Sequence, residues 1–387
     1  MKRFLRFLLR SILFWIVVIP VFLLVRARFL PEVEVPILRY SQITAQTDRS
    51  DAVSIETFER HLIYLCNDSR CETIRPKRLR QYQLWGRPLP AYPLIITIDV
   101  PSRDLPELIE PVLKQFGYTA IVALPTAFIA DTPANRRSLN GVPLLTWPEI
   151  RDAEARGILS FATATRNNPL LSIHENPFNE IRAGRTDYRR ALGKKNDVFI
   201  CPKEEATPSL QTAAKRAKIG IGFDCRNAIA TVGPDTDLSA LPRVCVRGGF
   251  HTFRVHLLQN SVDPDFYGEL RVIHESGSPM PASIRGYRPT DFKPFVAMDV
   301  ERLENRTEYR LPVPAELELP FQVFVFDEFR VIPYFSVTLG RGDVIRDKNY
   351  RKPLLKDDGS FDRLLRETDD ILSSIVPEPI TAETTAK

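Results

Sequence analysis

The run Leu94 to Val100 (LIITIDV) is β-branched and nearly free of polar side chains, the pattern of a strand buried on both faces. Thr119 to Leu124 (TAIVAL), Ile158 to Thr163 and Asp197 to Cys201 repeat it, with helix-patterned stretches between them. Leu105 to Phe116 sets Leu108, Ile109, Val112 and Leu113 on one face and meets Gly117 where a C-terminal cap belongs. Thr146-Trp147-Pro148-Glu149 has the spacing of a capping box and opens a helix that stops at Gly157. Ser54 caps an earlier helix whose apolar face is Ile55, Phe58, Leu62 and Leu65, and Ser209 to Lys218 forms a later one. Glu32 to Ile43 (EVEVPILRYSQI) supplies a first strand. Strands that alternate with helices join by crossovers, so the sheet is parallel. The expected fold is an α/β layer or barrel with its site at the C-terminal strand ends.

After about Leu257 the pattern changes. Glu269 to His274, Phe295 to Val300, Phe321 to Phe326 and Val331 to Thr338 read as strands separated by Pro, Gly and charged turns, with no helix between. This predicts a β-rich module over 257–350, of sandwich type. A tail follows over 351–387, with one amphipathic helix near Phe361 to Ile375.

The N-terminus sets the compartment. Ser11 to Val25 is a charge-free run of 15 residues, preceded by Lys2, Arg3, Arg6 and Arg10 and followed by Arg26 and Arg28. Snorkelling arginines extend it into a span, and the positive-inside bias keeps the N-terminus cytoplasmic. Residues 1–28 are therefore expected to be a single transmembrane helix in the inner or plasma membrane, with the soluble part extracytoplasmic (periplasmic). The other reading is a cleaved signal peptide, which delivers the same soluble part to the same side. Cys66 and Cys71 flank a short polar turn and suit either a small disulfide loop or two reduced thiols. The net charge of +5 is too small and too dispersed for a nucleic-acid partner, and the absence of any C-x-x-C pair excludes a zinc ribbon.

The order of segments from Pro36 to Val246 resembles the polysaccharide deacetylase family, the NodB-homology domain of carbohydrate esterase family 4. Pro36-Ile37-Leu38-Arg39-Tyr40 is similar to the family's opening strand, Thr97-Ile98-Asp99-Val100-Pro101 to its T-F-D-D-G, and Leu113 to Phe128 to its L-x-x-x-G-x-x-A-T-x-F-V. Leu145-Thr146-Trp147-Pro148-Glu149-Ile150 resembles M-T-W-x-E-I, and GILSFATATRNNPLLS from Gly157 to Ser172 aligns without gaps on the stretch holding H-T-x-x-H. Phe199-Ile200-Cys201-Pro202-Lys203-Glu204 stands where R-Y-P-Y-G does, and the family's late L-H-D has no counterpart. The resemblance implies a distorted (β/α) barrel over 32–256 and an ancestral metal-dependent removal of acetyl groups from N-acetylated glycan. There the metal lowers the pKa of a bound water and the first Asp takes its proton.

Carried over residue by residue, Asp99 holds the base position. Val100, Ala164 and Asn168 hold the three metal-ligand positions, and isopropyl, methyl and carboxamide groups are poor zinc donors. No cofactor is expected where the family uses zinc or another divalent metal. The resemblance thus implies an inactive deacetylase-like protein that binds surface polysaccharide or a polysaccharide-assembly protein. Arg166, Asn167, Asn168 and Trp147 are the candidates for contacting the ligand, against plain loop and core roles. Two other readings stay open: an active N-deacetylase with a rebuilt metal site drawn from Asp99, Asp104 and His174, and an interaction protein that binds no sugar. Cys201 reads as a buried thiol.

Overall fold

The structure is a computed structural model. It describes residues 30–371 except 47–51, 68, 170, 172–173, 202–206, 247–252, 261–265, 275–280, 289–293, 300–307, 315–318, 341–343 and 348–369. The expected anchor over 1–28 and most of the expected tail helix lie outside the described residues. The chain divides into two compact units at 247/248, where the sequence pattern placed the change at 256/257.

The first unit is built on seven parallel strands: β1 (Ile37–Tyr40), β2 (Pro93–Ile98), β3 (Ala120–Leu124), β4 (Leu159–Thr163), β5 (Val198–Ile200), β6 (Ile221–Phe223) and β7 (Val244–Val246). Their order across the sheet is β6-β5-β4-β3-β2-β1-β7, with Glu72–Thr73 added beside the start of β2. Helices α1 (Ile55–Asn67), α2 (Lys77–Trp85), α3 (Glu110–Gln115), α4 (Trp147–Arg156), α5 (Pro177–Leu192) and α6 (Pro208–Arg216) form the connections.

One segment closes this sheet on itself. Leu241 bridges Phe223 of β6 in parallel, with Gly222 N donating to Leu238 O and Leu241 N to Gly222 O, both at 2.8 Å. Three residues later the same segment becomes β7 and pairs with β1, Val244 opposite Leu38 and Val246 opposite Tyr40. The two edges of the sheet therefore meet along residues 238–246, giving the expected distorted (β/α) barrel. Ile37, Ile95, Ile121, Ala123, Ala162, Ile200, Ile221 and Phe223 fill the interior. Every second residue of each strand points there, so Arg39, Thr97 and Asp99 continue the inward row at the C-terminal end.

Two expectations change. Glu32 to Ile43 is not one strand: Val33–Val35 pairs antiparallel with Ala230–Val232, and the barrel strand starts at Ile37. Pro36 separates them because it has no N–H for a ladder, although its carbonyl accepts from Ile95 N. The helix read over Leu105 to Phe116 opens as one wide turn, Leu105–Ile109, and is α-helical only over Glu110–Gln115.

The capping box at α4 is present, with Glu149 also clamped by Arg136 through two bonds of 2.9 and 2.7 Å. The Arg136 guanidinium, against the opposing effect of burial and with help from Thr146, holds the Glu149 carboxyl at about 2. A carboxyl depressed by folding stabilises above its unfolded value and loses that contribution as pH falls through the folded one. Glu149→Gln is therefore expected to lower stability by about 1.5 kcal/mol at pH 7. The gap from wild type should narrow as pH drops from about 4.5 toward 2. Urea midpoints of both proteins at pH 7 and pH 2.5 check this.

The second unit is a β-sandwich. Glu308–Pro314, Phe266–His274, Phe253–Asn260 and Val344–Asp347 form one sheet in that order. Pro294–Asp299, Ser283–Tyr287, Phe321–Phe326 and Pro333–Leu339 form the other. Leu257, Leu270, Val272 and Leu311 from the first share a core with Ile284, Phe321, Val323 and Phe335 from the second.

Candidate functional site

Asp99 lies one residue beyond β2, inside the mouth of the barrel and 7% exposed. Both of its oxygens are taken by arginines. Arg39 on β1 places Nε 2.7 Å from Oδ2, and Arg243 on the closing segment places Nη1 2.6 Å from Oδ1.

Arg243 is 0% exposed, the largest side chain fully enclosed in the described residues. A buried guanidinium is tolerated only when its donors are matched, and all five of its N–H bonds are. Nε donates to Asp224 O at 2.8 Å. Nη1 donates to Thr97 Oγ1 at 3.0 Å as well as to Asp99. Nη2 donates to Cys201 O at 2.8 Å and to Cys225 Sγ at 3.5 Å. One side chain thus ties β2 to the strand ends after β5 and β6, across the seam where the barrel closes.

Burial works against the charge on Arg39, but Asp99 outweighs it and the guanidinium sits above its ordinary value. Burial pushes the Cys225 thiol up despite the downward pull of Arg243 and Arg39, so it stays protonated near neutral pH and is a weak nucleophile. Asp224, 1% exposed, is paired with Arg226 at 2.8 Å. Among the described residues, Arg39, Arg226 and Arg243 gather around Asp99 and Asp224.

The positions that the sequence resemblance set against metal ligands are placed as follows. Ala164 is 1% exposed and packs its methyl into the barrel core. Val100 is half-buried just past β2, and Asn168 is buried with φ +53°. No group of three or more His, Cys, Asp or Glu side chains able to hold a metal exists among the described residues. The rebuilt set is not assembled either: Asp104 pairs with its neighbour Arg103 at 3.3 Å, and His174 Nδ1 accepts from Asn176 N at 3.0 Å. Among the described residues, the donor chemistry at this mouth does not fit zinc.

The loop after β4 is fastened to α5. Asn167 N and Nδ2 donate to Glu180 at 2.9 and 2.7 Å, and Arg166 Nε lies 3.1 Å from Asp187. Gly184 of α5 lets the helix approach this closely, since a Cβ there would meet the backbone of residues 164–166 at 3.3–3.4 Å. Arg166 and Asn167 end exposed on the rim. Asn168 and Trp147 do not: Trp147 is 6% exposed at the first turn of α4, a packing position rather than an open stacking surface for a sugar. Thr165, beside them, buries a hydroxyl with no hydrogen-bond partner among the described residues. The cysteines are all thiols: Cys66 exposed, Cys71, Cys225 and Cys245 partly covered, Cys201 buried.

Sequence reasoning missed Arg243, and with it Arg39. The available signal was a charge inside an apolar run, Leu241-Pro242-Arg243-Val244-Cys245-Val246.

No protein-family model matches the chain, and no curated protein sequence does. Among solved structures the chain is similar to the Streptococcus pyogenes deacetylase PplD, determined with acetate: 18% identity, 57% of this chain, 95% of that one, TM-score 0.49. It is similar to a polysaccharide deacetylase from Bacillus cereus at 17% identity, covering 57% of this chain and 66% of that one, TM-score 0.47. A de-N-acetylase from Aggregatibacter actinomycetemcomitans matches at 16% identity over 56% of this chain and 97% of its own, TM-score 0.48. At such identities and TM-scores these likenesses say nothing of activity.

Proposed function

We propose that the chain is a membrane-anchored, extracytoplasmic deacetylase-like protein that binds a glycan, or a partner in surface-polysaccharide assembly, without hydrolysing it. One observation carries the reading: Asp99, at the base position, spends both oxygens on buried or half-buried guanidinium groups. A general base needs a free lone pair aimed at the water it activates. Here each oxygen is already engaged by a guanidinium, and these cations are fixed side chains. Binding falls to the rim, where Arg166 and Asn167 are exposed over the loop after β4. The apolar, arginine-flanked stretch at 1–28 supports the anchor.

The test uses the full chain in detergent. Metal analysis is expected to find no stoichiometric zinc, and incubation with chitin oligomers is expected to release no acetate. Stoichiometric zinc together with turnover that Asp99→Ala abolishes would overturn the reading in favour of an active N-deacetylase. A glycan array separates sugar binding, expected to weaken in Arg166→Ala, from a purely protein-binding role.

A further inference from the structure

We infer that the N-terminal end of the barrel carries a membrane-resting surface, made by Leu84, Trp85 and Tyr92 with Lys77, Arg78 and Arg87. The inference rests on the anchored reading above and goes beyond it, because it assigns lipid contact to the folded unit itself.

Leu84, Trp85 and Tyr92 are 46%, 57% and 58% exposed, the exposed large apolar side chains of the described residues. All three fall between residues 84 and 92. The fold explains why they are not internal. Helix α2 turns Leu79 and Tyr82 inward and stops at Gly86, a left-handed C-cap at φ +63°. Leu84 and Trp85 are left on the outer side of its last turn. Tyr92 directly precedes β2, with its carbonyl tied to Glu72 N at 2.9 Å, so its ring is excluded from the sheet. Basic groups lie on the same helix and the turn after it. Lys77 and Arg87 are exposed, and Arg78 holds the Pro88 carbonyl at 2.7 Å with its stem partly open. Exposed acids lie near as well, Glu72 beside Tyr92 and Glu32 next to Pro31.

An exposed Trp and Tyr among arginines suits the boundary between lipid tails and headgroups, where rings take the apolar side and cations the phosphates. What identifies the occupant as a bilayer is where the chain enters. The Tyr82 hydroxyl donates to the Pro31 carbonyl, so α2 is fastened to the chain three residues after the apolar stretch of 1–28 ends. The segment read as crossing the bilayer therefore joins the barrel beside Trp85. Asp99 lies at the opposite end of β2, about 20 Å away at about 3.3 Å per residue. The surface so assigned turns the mouth of the barrel away from the membrane.

The test is fluorescence of the full chain with Trp15→Phe, reconstituted into vesicles of phosphatidylcholine and phosphatidylglycerol with chain-brominated lipid. Trp85 is expected to be quenched by the bromines, and Trp85→Phe is expected to remove the quenched component while the buried Trp147 signal stays. Protein that sediments with vesicles but shows no Trp85-dependent quenching overturns the surface and leaves the anchor standing. Protein that does not sediment with vesicles overturns both. Concentration-dependent shielding of Trp85 from acrylamide without lipid assigns the patch to a second copy of the chain and also overturns the surface.

Discussion

Arg243→Met is expected to destabilise the barrel by about 3–5 kcal/mol, the loss typical when one partner of a buried ion pair is removed. The substitution takes the closer of two cations from Asp99, leaves the Asp224 carbonyl and the Thr97 hydroxyl without the guanidinium donor, and leaves the Cys201 carbonyl with the Cys225 thiol alone. Methionine fills much of the space, so the loss reports charge and hydrogen bonding more than a cavity. Arg243→Lys should recover only part of it, because one ammonium cannot reproduce a planar fork that reaches three strand ends. Asp99→Asn should cost a similar amount by stranding the buried guanidinium. The double variant Asp99→Asn/Arg243→Met should cost clearly less than the two single losses added. Urea midpoints followed through Trp147 fluorescence decide it, and strict additivity would show that the two groups do not act as a pair.

Gly222→Ala is expected to cost about 3 kcal/mol or more, for a different reason. A Cβ on Gly222 would lie 2.0 Å from Ser239 O and 2.8 Å from Ser239 C. Both are backbone atoms, so β6 and the closing segment must separate, at the expense of the bonds Gly222 makes to Leu238 and Leu241. Overpacking a fixed backbone contact sits at the upper end of such penalties. Gly220→Ala is the control. Its Cβ would meet the Arg80 guanidinium at 1.4 Å, but that is the tip of a flexible side chain whose pairing with Asp197 is partly exposed. It should cost under about 1 kcal/mol. Equal effects at the two glycines would remove the distinction between a seam and a surface.

The barrel strands were legible in the sequence because each is buried on both faces and so reads as an unbroken apolar run. β2, β3 and β4 fall within a residue or two of their expected bounds. Helix α5 was not legible. Its large apolar residues are few (Phe178, Ile181, Tyr188 and Leu192), and the positions between them are charged, polar or small. Four sandwich strands were missed, among them Ser283–Tyr287, whose small and charged residues alternate too irregularly to show a period. At the site, Asp99 was legible from its place at a strand end, and so were the poorly donating side chains of Val100, Ala164 and Asn168. The arginines were not. Arg39 and Arg243 lie 204 positions apart on segments that become neighbours only when the barrel closes, and the local mark, a charge inside an apolar run, does not say what either one meets.

Because β7 pairs with β1, the barrel's first and last strands are its final neighbours: Arg39 meets Cys245 across 206 residues. A chain emerging from the ribosome N-terminus first holds six strands with both outer edges bare until residue 246 has appeared, and long-range pairing of this kind is slow to form. Truncation anywhere from 225 to 237 should leave two unpaired edges, which are templates for aggregation, and an aspartate with one counter-ion in place of two. Such fragments are predicted to be insoluble rather than smaller working versions of the protein.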